Sequence, residues 1–308
     1  MADRSKLTVL QTKVIGVTDF RTRLNSGTVI VFDGSMGIEL ARRGLSPGPN
    51  WNEDRPDAVL AVHKDYLDAG AEVLITNTLV ANSVYLTRSG HPDKVMRYNQ
   101  LGVELARKAG AAFVAGDVGP TGELLDPLGP LTPEAAGAAF REQATCLHEA
   151  GVDLFIIETM MDPKELALAA AAIKDISDKP LIASMSFDEA RGGYRTPMGT
   201  TVSEAAEAMA QSGADVIGVN CGSLTLDDVR KIVAELRAAA DLPVIAQPNA
   251  GKPSLEGGKV KYMLGAEEFA EGMLAAIEAG ATLVGGCCGT TPAHIRALCR
   301  ALGRKSAR

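Results

Sequence analysis

The sequence predicts a single α/β domain, a (β/α)8 barrel of the TIM type, and three observations lead there. Eight short apolar, β-branched runs recur along the 308 residues: TVIVFDG, EVLITNT, AFVAGDVGP, DLFIIET, PLIASMSF, DVIGVNC, PVIAQPN and TLVGGCC. They are near-continuously apolar, as strands covered on both faces by crossover helices must be, and lack the alternation of a one-sided antiparallel sheet. Segments with helical spacing lie between them, and no break in composition separates the repeating units, so one barrel is favoured over two doubly wound halves of the same total length.

Taken in order, residues 1–27 precede the first run and read as an N-terminal arm, with a short helix near TDFRTR closing the bottom of a barrel that spans 28–308. Helices are expected over DAVLAVHKDYLDAG, KVMRYNQLGVELARKAG, AAGAAFREQATCLHEAG, SEAAEAMAQSG and AEEFAEGMLAAIEAG. Each closes on a glycine suited to a left-handed cap: Gly70, Gly110, Gly151, Gly213 and Gly280.

Composition excludes several classes. A net charge of -7, with no concentrated lysine or arginine, argues against nucleic acid as a partner. No apolar run approaches the roughly 18 residues of a membrane span, and the N-terminal stretch has no secretory h-region, so no membrane partner and a cytoplasmic location are expected. Five cysteines then read as reduced thiols.

The C-terminal ends of barrel strands carry active sites in this architecture. Here they bear Asp33, Asn77, Asp117 and Glu158 after the first four runs, then Asn220-Cys221, Gln247 with Asn249, and Cys287-Cys288. Strands six and eight are separated in the ring only by strand seven, so Cys221, Cys287 and Cys288 meet on one rim. Three soft sulfur ligands without a fourth protein ligand match a catalytic Zn2+ site with one open position. Neighbouring strand residues point to opposite faces, so adjacent cysteines share one metal only across a sharp bend, for which Gly285, Gly286 and Gly289 are suited. The bland alternative is that free cysteine is a small buried hydrophobe. It suits Cys146 and Cys299 on their helical segments but explains neither the pairing nor the shared rim of the other three.

DGSMG, Asp33–Gly37, is either an ordinary tight βα turn or a cradle whose backbone N–H groups hold a carboxylate. Asp33 and Glu158 are candidates for a substrate ammonium, or are solvated rim acids. GDVGPTGELL and PNAGKP read as loops over the same face. None of the four histidines completes a triad spacing.

DGSMG, TNT, GDVGPTGEL, Glu158-Thr159, GVNCG, PNAGKP and GGCCGTTPAHI follow one another from about Thr28 to Leu302. With these motifs the chain resembles the zinc-dependent homocysteine S-methyltransferases, most of all the homocysteine-binding module of cobalamin-dependent methionine synthase. The resemblance implies a barrel enzyme in which Cys221, Cys287 and Cys288 ligate Zn2+ and the homocysteine thiolate takes the fourth position. It also implies that Asp33 and Glu158 hold the substrate amino group and that backbone around Gly34, Ser35 and Met36 holds its carboxylate, with Asn220 at the same site. The folate, cobalamin and reactivation modules of that synthase have no counterpart in these 308 residues, so the expected donor is a methylcorrinoid (methylcobalamin) on a separate partner protein. The rival readings are S-methylmethionine or S-adenosylmethionine as donor, and a non-catalytic zinc- and thiol-binding module. Betaine is disfavoured, because an aromatic content of 4% and the loop NTLVANSVYL offer little for cation–π capture.

Overall fold

The computed structural model describes residues 19–257 and 259–304. Eight parallel strands form the barrel: β1 Ile30–Val31, β2 Val73–Ile75, β3 Phe113–Val118, β4 Leu154–Met160, β5 Leu181–Met185, β6 Val216–Asn220, β7 Val244–Gln247 and β8 Ala281–Val284. They hydrogen-bond in the order β1-β8-β7-β6-β5-β4-β3-β2, and a parallel bridge between Phe32 and Val73 joins β1 to β2. The expected α/β barrel is therefore present, with β6 and β8 both flanking β7.

Twelve helices are described: α1 Phe20–Leu24, α2 Met36–Arg42, α3 Trp51–Asp54, α4 Pro56–Ala69, α5 Ser83–Arg88, α6 Val95–Ala109, α7 Pro133–Ala150, α8 Pro163–Lys174, α9 Val202–Gln211, α10 Leu226–Ala239, α11 Ala266–Glu278 and α12 Pro292–Ala301. Gly70, Gly110 and Gly151 are the left-handed caps anticipated for α4, α6 and α7. The positive φ of Gly213 and Gly280 falls one residue beyond the caps Ser212 and Ala279. Two antiparallel hairpins, Asp188–Ala190 with Gly193–Arg195 and Ser254–Glu256 with Lys259–Lys261, interrupt the repeat where the sequence reads as loop.

Side chains inside the barrel change character along its axis. Ile30, Phe32, Val73, Phe113, Ala115, Leu154, Ile156, Ile182, Val216, Ile245 and Leu283 form one buried apolar cluster, and Val114, Val118, Phe155 and Ile157 belong to the larger cluster beneath the helices. The period of two then makes Asp117, Glu158, Ser184, Asn220 and Gln247 the next inward positions, so the interior turns polar toward the strands' C-terminal ends. At the opposite end α1 covers the barrel. Phe20 packs edge-on against Phe32 and Phe113 with ring centroids 6.4 and 5.3 Å apart. Arg21 pairs with Asp215 at 2.7 Å and buried Arg23 with Glu72 at 2.8 Å, both acids lying just ahead of strands. Residues 1–18 of the arm lie outside the described residues. Among the described residues, no helix is long and apolar enough to cross a membrane.

His63 on α4 is fully buried, and neither ring nitrogen has a partner among the described residues. Burial pushes its pKa down to about 3, whereas an unfolded chain has a histidine near 6.5. As pH falls below 6.5 the unfolded chain takes up a proton that the folded chain refuses, so stability declines with acidification until about pH 3. His63→Leu is expected to remove up to about 1.4 kcal/mol per pH unit of that acid-side slope, measured by urea unfolding between about pH 6 and 5. Equal slopes in the two proteins would assign the acid sensitivity elsewhere.

Candidate active site

The three rim cysteines come together. Cys221 follows β6, Cys287 and Cys288 follow β8, and their sulfurs lie within 4.8 Å of one another, with Cys221 and Cys288 at 4.0 Å. Zn–S bonds of about 2.3 Å at tetrahedral angles place sulfurs about 3.8 Å apart, so the donor set fits one tetrahedral metal ion. All three sulfurs belong to partly exposed residues, whereas Cys146 and Cys299 are buried on α7 and α12, where burial pushes both thiols up to about 11. Those two serve packing.

Main-chain bonds hold the residues after β8 to those after β7. Cys287 N–H donates to Pro248 O at 2.9 Å, and Ala250 N–H donates to Cys288 O at 2.9 Å. Thr290 donates to Cys287 O from its N–H at 3.1 Å and from its hydroxyl at 2.6 Å. The expected glycine bend divides into two roles. Only Gly289 is left-handed, at φ 82°, while Gly286 provides close approach: a Cβ there would lie 2.5 Å from Thr290 Oγ1. Donation from the thiols of Cys221 and Cys287, then from the Tyr262 phenol, holds Cys288 well below the usual thiol range.

Beside the sulfurs opens a cavity of about 350 Å3. Its walls include apolar Pro47, Pro49, Leu79 and Val80, and its polar lining includes Asp117 and Glu158. Burial, and then the charge of Cys221, pushes Glu158 up to about 7. Asp33 is buried too, its carboxyl raised by burial first, but Oδ2 accepts from Ile75 N–H at 3.0 Å and the residue is not part of the cavity lining. Asn220 is likewise absent from the lining. Its Oδ1 accepts from Thr159 N–H at 2.9 Å and from Ser184 at 2.8 Å, and its Nδ2 donates to Thr159 Oγ1 at 2.7 Å. This amide braces the backbone at Thr159, which has φ 60°; Cys221, the next residue in the chain after Asn220, has φ 59°.

Gly34, Ser35 and Met36 all line the cavity where the chain turns into α2. Ser35 N–H is already committed to Thr290 Oγ1 at 3.1 Å, and its hydroxyl caps α2 by accepting from Ile38 N–H at 3.2 Å. The N–H groups of Gly34, Met36 and Gly37 have no acceptor among the described residues. Tyr66 hydroxyl reaches the carbonyls of Ser35 and Thr290, each at 3.2 Å, and so ties α4 to the same corner. Gly34 has no room for a side chain, since a Cβ would lie 2.6 Å from Thr290 Oγ1.

Sequence reasoning missed Thr290, Tyr262 and the free oxygen of Asp117. Thr290 sits inside the cysteine motif, so the motif was its signal. Tyr262 directly follows the hairpin strand Lys259–Lys261, and nothing local marks it.

Fold and site together define a class: a (β/α)8 barrel with three convergent thiols that could hold a metal ion and an acid-lined cavity at the C-terminal rim. The family model described as homocysteine S-methyltransferase matches residues 30–302. Methionine synthases of Mycobacterium tuberculosis (strain ATCC 25618 / H37Rv) and Mycobacterium leprae (strain TN) are each 32% identical over 90% of this chain. The chain spans only about a quarter of their length, 25% and 24%. The crystal structure of the homocysteine methyltransferase MmuM from Escherichia coli, metallated form, superposes with a TM-score of 0.73 at 27% identity, over 91% of this chain and 98% of that one. The chain belongs to the homocysteine S-methyltransferase family and is a methyltransferase enzyme.

At Gly289 a Cβ would sit 2.3 Å from Tyr262 Cβ in a backbone conformation that already disfavours side chains. Gly289→Ala is therefore expected to displace Cys288 and to lower bound metal well below about one ion per chain by elemental analysis, with a stability loss of about 1–3 kcal/mol. Full metal content would show that the bend tolerates a side chain.

Proposed function

We propose that this enzyme methylates the thiol of homocysteine to give methionine, with Zn2+ held by Cys221, Cys287 and Cys288. The observation that carries this reading is the presence of three convergent sulfurs, buried acids and an N–H-bearing turn in the lining of one cavity. A thiol, an ammonium and a carboxylate each have a complementary wall.

Bound to three thiolates, Zn2+ supplies a Lewis acid that keeps a substrate thiol deprotonated and nucleophilic near neutral pH. The chain's own residues do the rest. The acids at Asp33 and Glu158 select and orient the ammonium. The unpaired N–H groups of Gly34, Met36 and Gly37 receive the carboxylate, while the Ser35 N–H, bonded to Thr290, sets the turn. Pro47, Pro49, Leu79 and Val80 exclude water from the sulfur, which strengthens these polar contacts. A sulfur lone pair then forms the S–CH3 bond as the donor–carbon bond breaks, and its electron pair leaves with the donor.

For the donor we favour a methylcorrinoid protein in trans, supported by the motif resemblance and by the 32% identity to the mycobacterial methionine synthases. A small sulfonium donor, S-methylmethionine or S-adenosylmethionine, is the second reading. Tyr85 is the one aromatic residue in the cavity lining, too few for an aromatic cage around betaine.

Incubation of zinc-loaded protein and homocysteine with each donor separately is expected to give methionine from methylcobalamin. Turnover with a sulfonium alone would transfer the assignment to the second reading, and homocysteine binding without methionine from any donor would leave a binding module. Cys221→Ser should lose most of about one bound zinc per chain. Near neutral pH, homocysteine binding should release close to one proton, read by calorimetry in buffers of different ionisation enthalpy, because a free thiol titrates at about 8.5. Binding without proton release would contradict capture of the thiolate.

A further inference from the structure

The acid wall of the cavity contains one carboxylate more than the recognition scheme above uses. Asp117 lies on β3 at the inward position after Phe113 and Ala115. Its main chain is clamped on both sides: N–H donates to Thr76 Oγ1 at 3.0 Å, and C=O accepts from Thr78 Oγ1 at 2.8 Å and Gln143 Nε2 at 3.2 Å. The side chain lines the cavity and is 4% exposed, yet its Oδ1 is buried without a partner among the described residues. Burial, followed by the charges of Glu158 and Asp33, raises this carboxyl well above its ordinary range. A rigidly mounted, buried acceptor without a donor is costly, and its place on a cavity wall indicates that the donor comes with the ligand. Asp33 also keeps a buried oxygen, Oδ1, without a partner among the described residues, but its Oδ2 is bonded to Ile75 N–H and the residue lies outside the cavity lining, so of the two it is Asp117 that a ligand in the cavity meets.

We propose that Asp117 is a substrate-contacting residue: its free carboxylate oxygen and Glu158 together take the primary ammonium of the amino-acid thiol, and Asp33 adds negative charge from behind the wall. The assignment rests on the thiol methyltransferase reading of the site. An ammonium brings three N–H donors, enough for the orphaned oxygen and for Glu158, and its positive charge relieves the crowding of like charges. A substrate without the amine supplies neither. Asp117 therefore makes the site selective for homocysteine over 4-sulfanylbutanoate, which keeps the thiol and the carboxylate but lacks the amino group.

The test is calorimetric titration of zinc-loaded full-length protein with homocysteine and with 4-sulfanylbutanoate, for wild type and Asp117→Asn, with zinc measured in each. Wild type is expected to prefer homocysteine. Asp117→Asn should weaken homocysteine about 10- to 100-fold while 4-sulfanylbutanoate changes less than about twofold and zinc is retained. Unchanged homocysteine affinity, or an equal loss for both thiols, would overturn the assignment and leave Asp117 as a wall residue. If the asparagine variant does not fold by circular dichroism, Asp117→Ser is measured against the same expectations. A wild-type protein that binds neither thiol brings down the functional reading itself, an outcome seen before any variant is compared.

Discussion

The site depends on bringing two adjacent cysteines of one strand end onto the same side of the backbone, against the natural alternation of a strand. The chain achieves this by ending β8 at Val284 and securing the following residues to the neighbouring β7 loop, through Cys287 N–H to Pro248 O and Ala250 N–H to Cys288 O. Thr290 then joins this bend to the rest of the site. It donates to the Cys287 carbonyl and accepts from Ser35 N–H with the same hydroxyl oxygen, so the thiol cluster and the turn leading into α2 move as one unit. Tyr66 hydroxyl closes the link by reaching the carbonyls of both Ser35 and Thr290.

Electrostatics explains what such a site requires from its ligands. Three thiols and the carboxyl groups of Asp117 and Glu158 face one cavity, Asp33 stands behind it, and among the described residues no lysine, arginine or histidine is in the lining. Burial raises all three carboxyl groups, and nearby negative charge adds to the effect: Glu158 on Asp33, Glu158 and Asp33 on Asp117, and Cys221 on Glu158. In the proposed function the compensating positive charges come from outside the chain, a metal ion at the sulfurs and an ammonium at the acids.

Backbone strain marks the same place. Thr159 and Cys221 hold left-handed conformations that cost non-glycine residues of order 1–3 kcal/mol each. Both sit at the C-terminal end of a barrel strand, one beside Glu158 and the other at the first of the three clustered cysteines. Asn220 stabilises the Thr159 conformation with two hydrogen bonds and reaches within 3.9 Å of Cys287 Sγ, so a residue anticipated at the substrate acts as the brace between β4, β6 and the thiols.

The barrel, its strand ends and the convergence of three cysteines were legible in the sequence because each rests on local periodicity or on ring order. Apolar runs separated by amphipathic segments require a parallel sheet, and a parallel ring puts β6 and β8 beside β7 whatever the side-chain details. The order of importance among the acids was not legible. Asp33, Asp117 and Glu158 look alike at the ends of their strands, and only the tertiary structure distinguishes Asp33, bonded to Ile75 N–H and set behind the cavity, from Asp117, whose side chain lines it. The same holds for Tyr262, delivered to Cys288 by a hairpin, and for Thr290, whose neighbours come from β1 and β8 together. Burial and hydrogen-bond partnership depend on contacts between segments far apart in the chain, and no spacing within one segment encodes them.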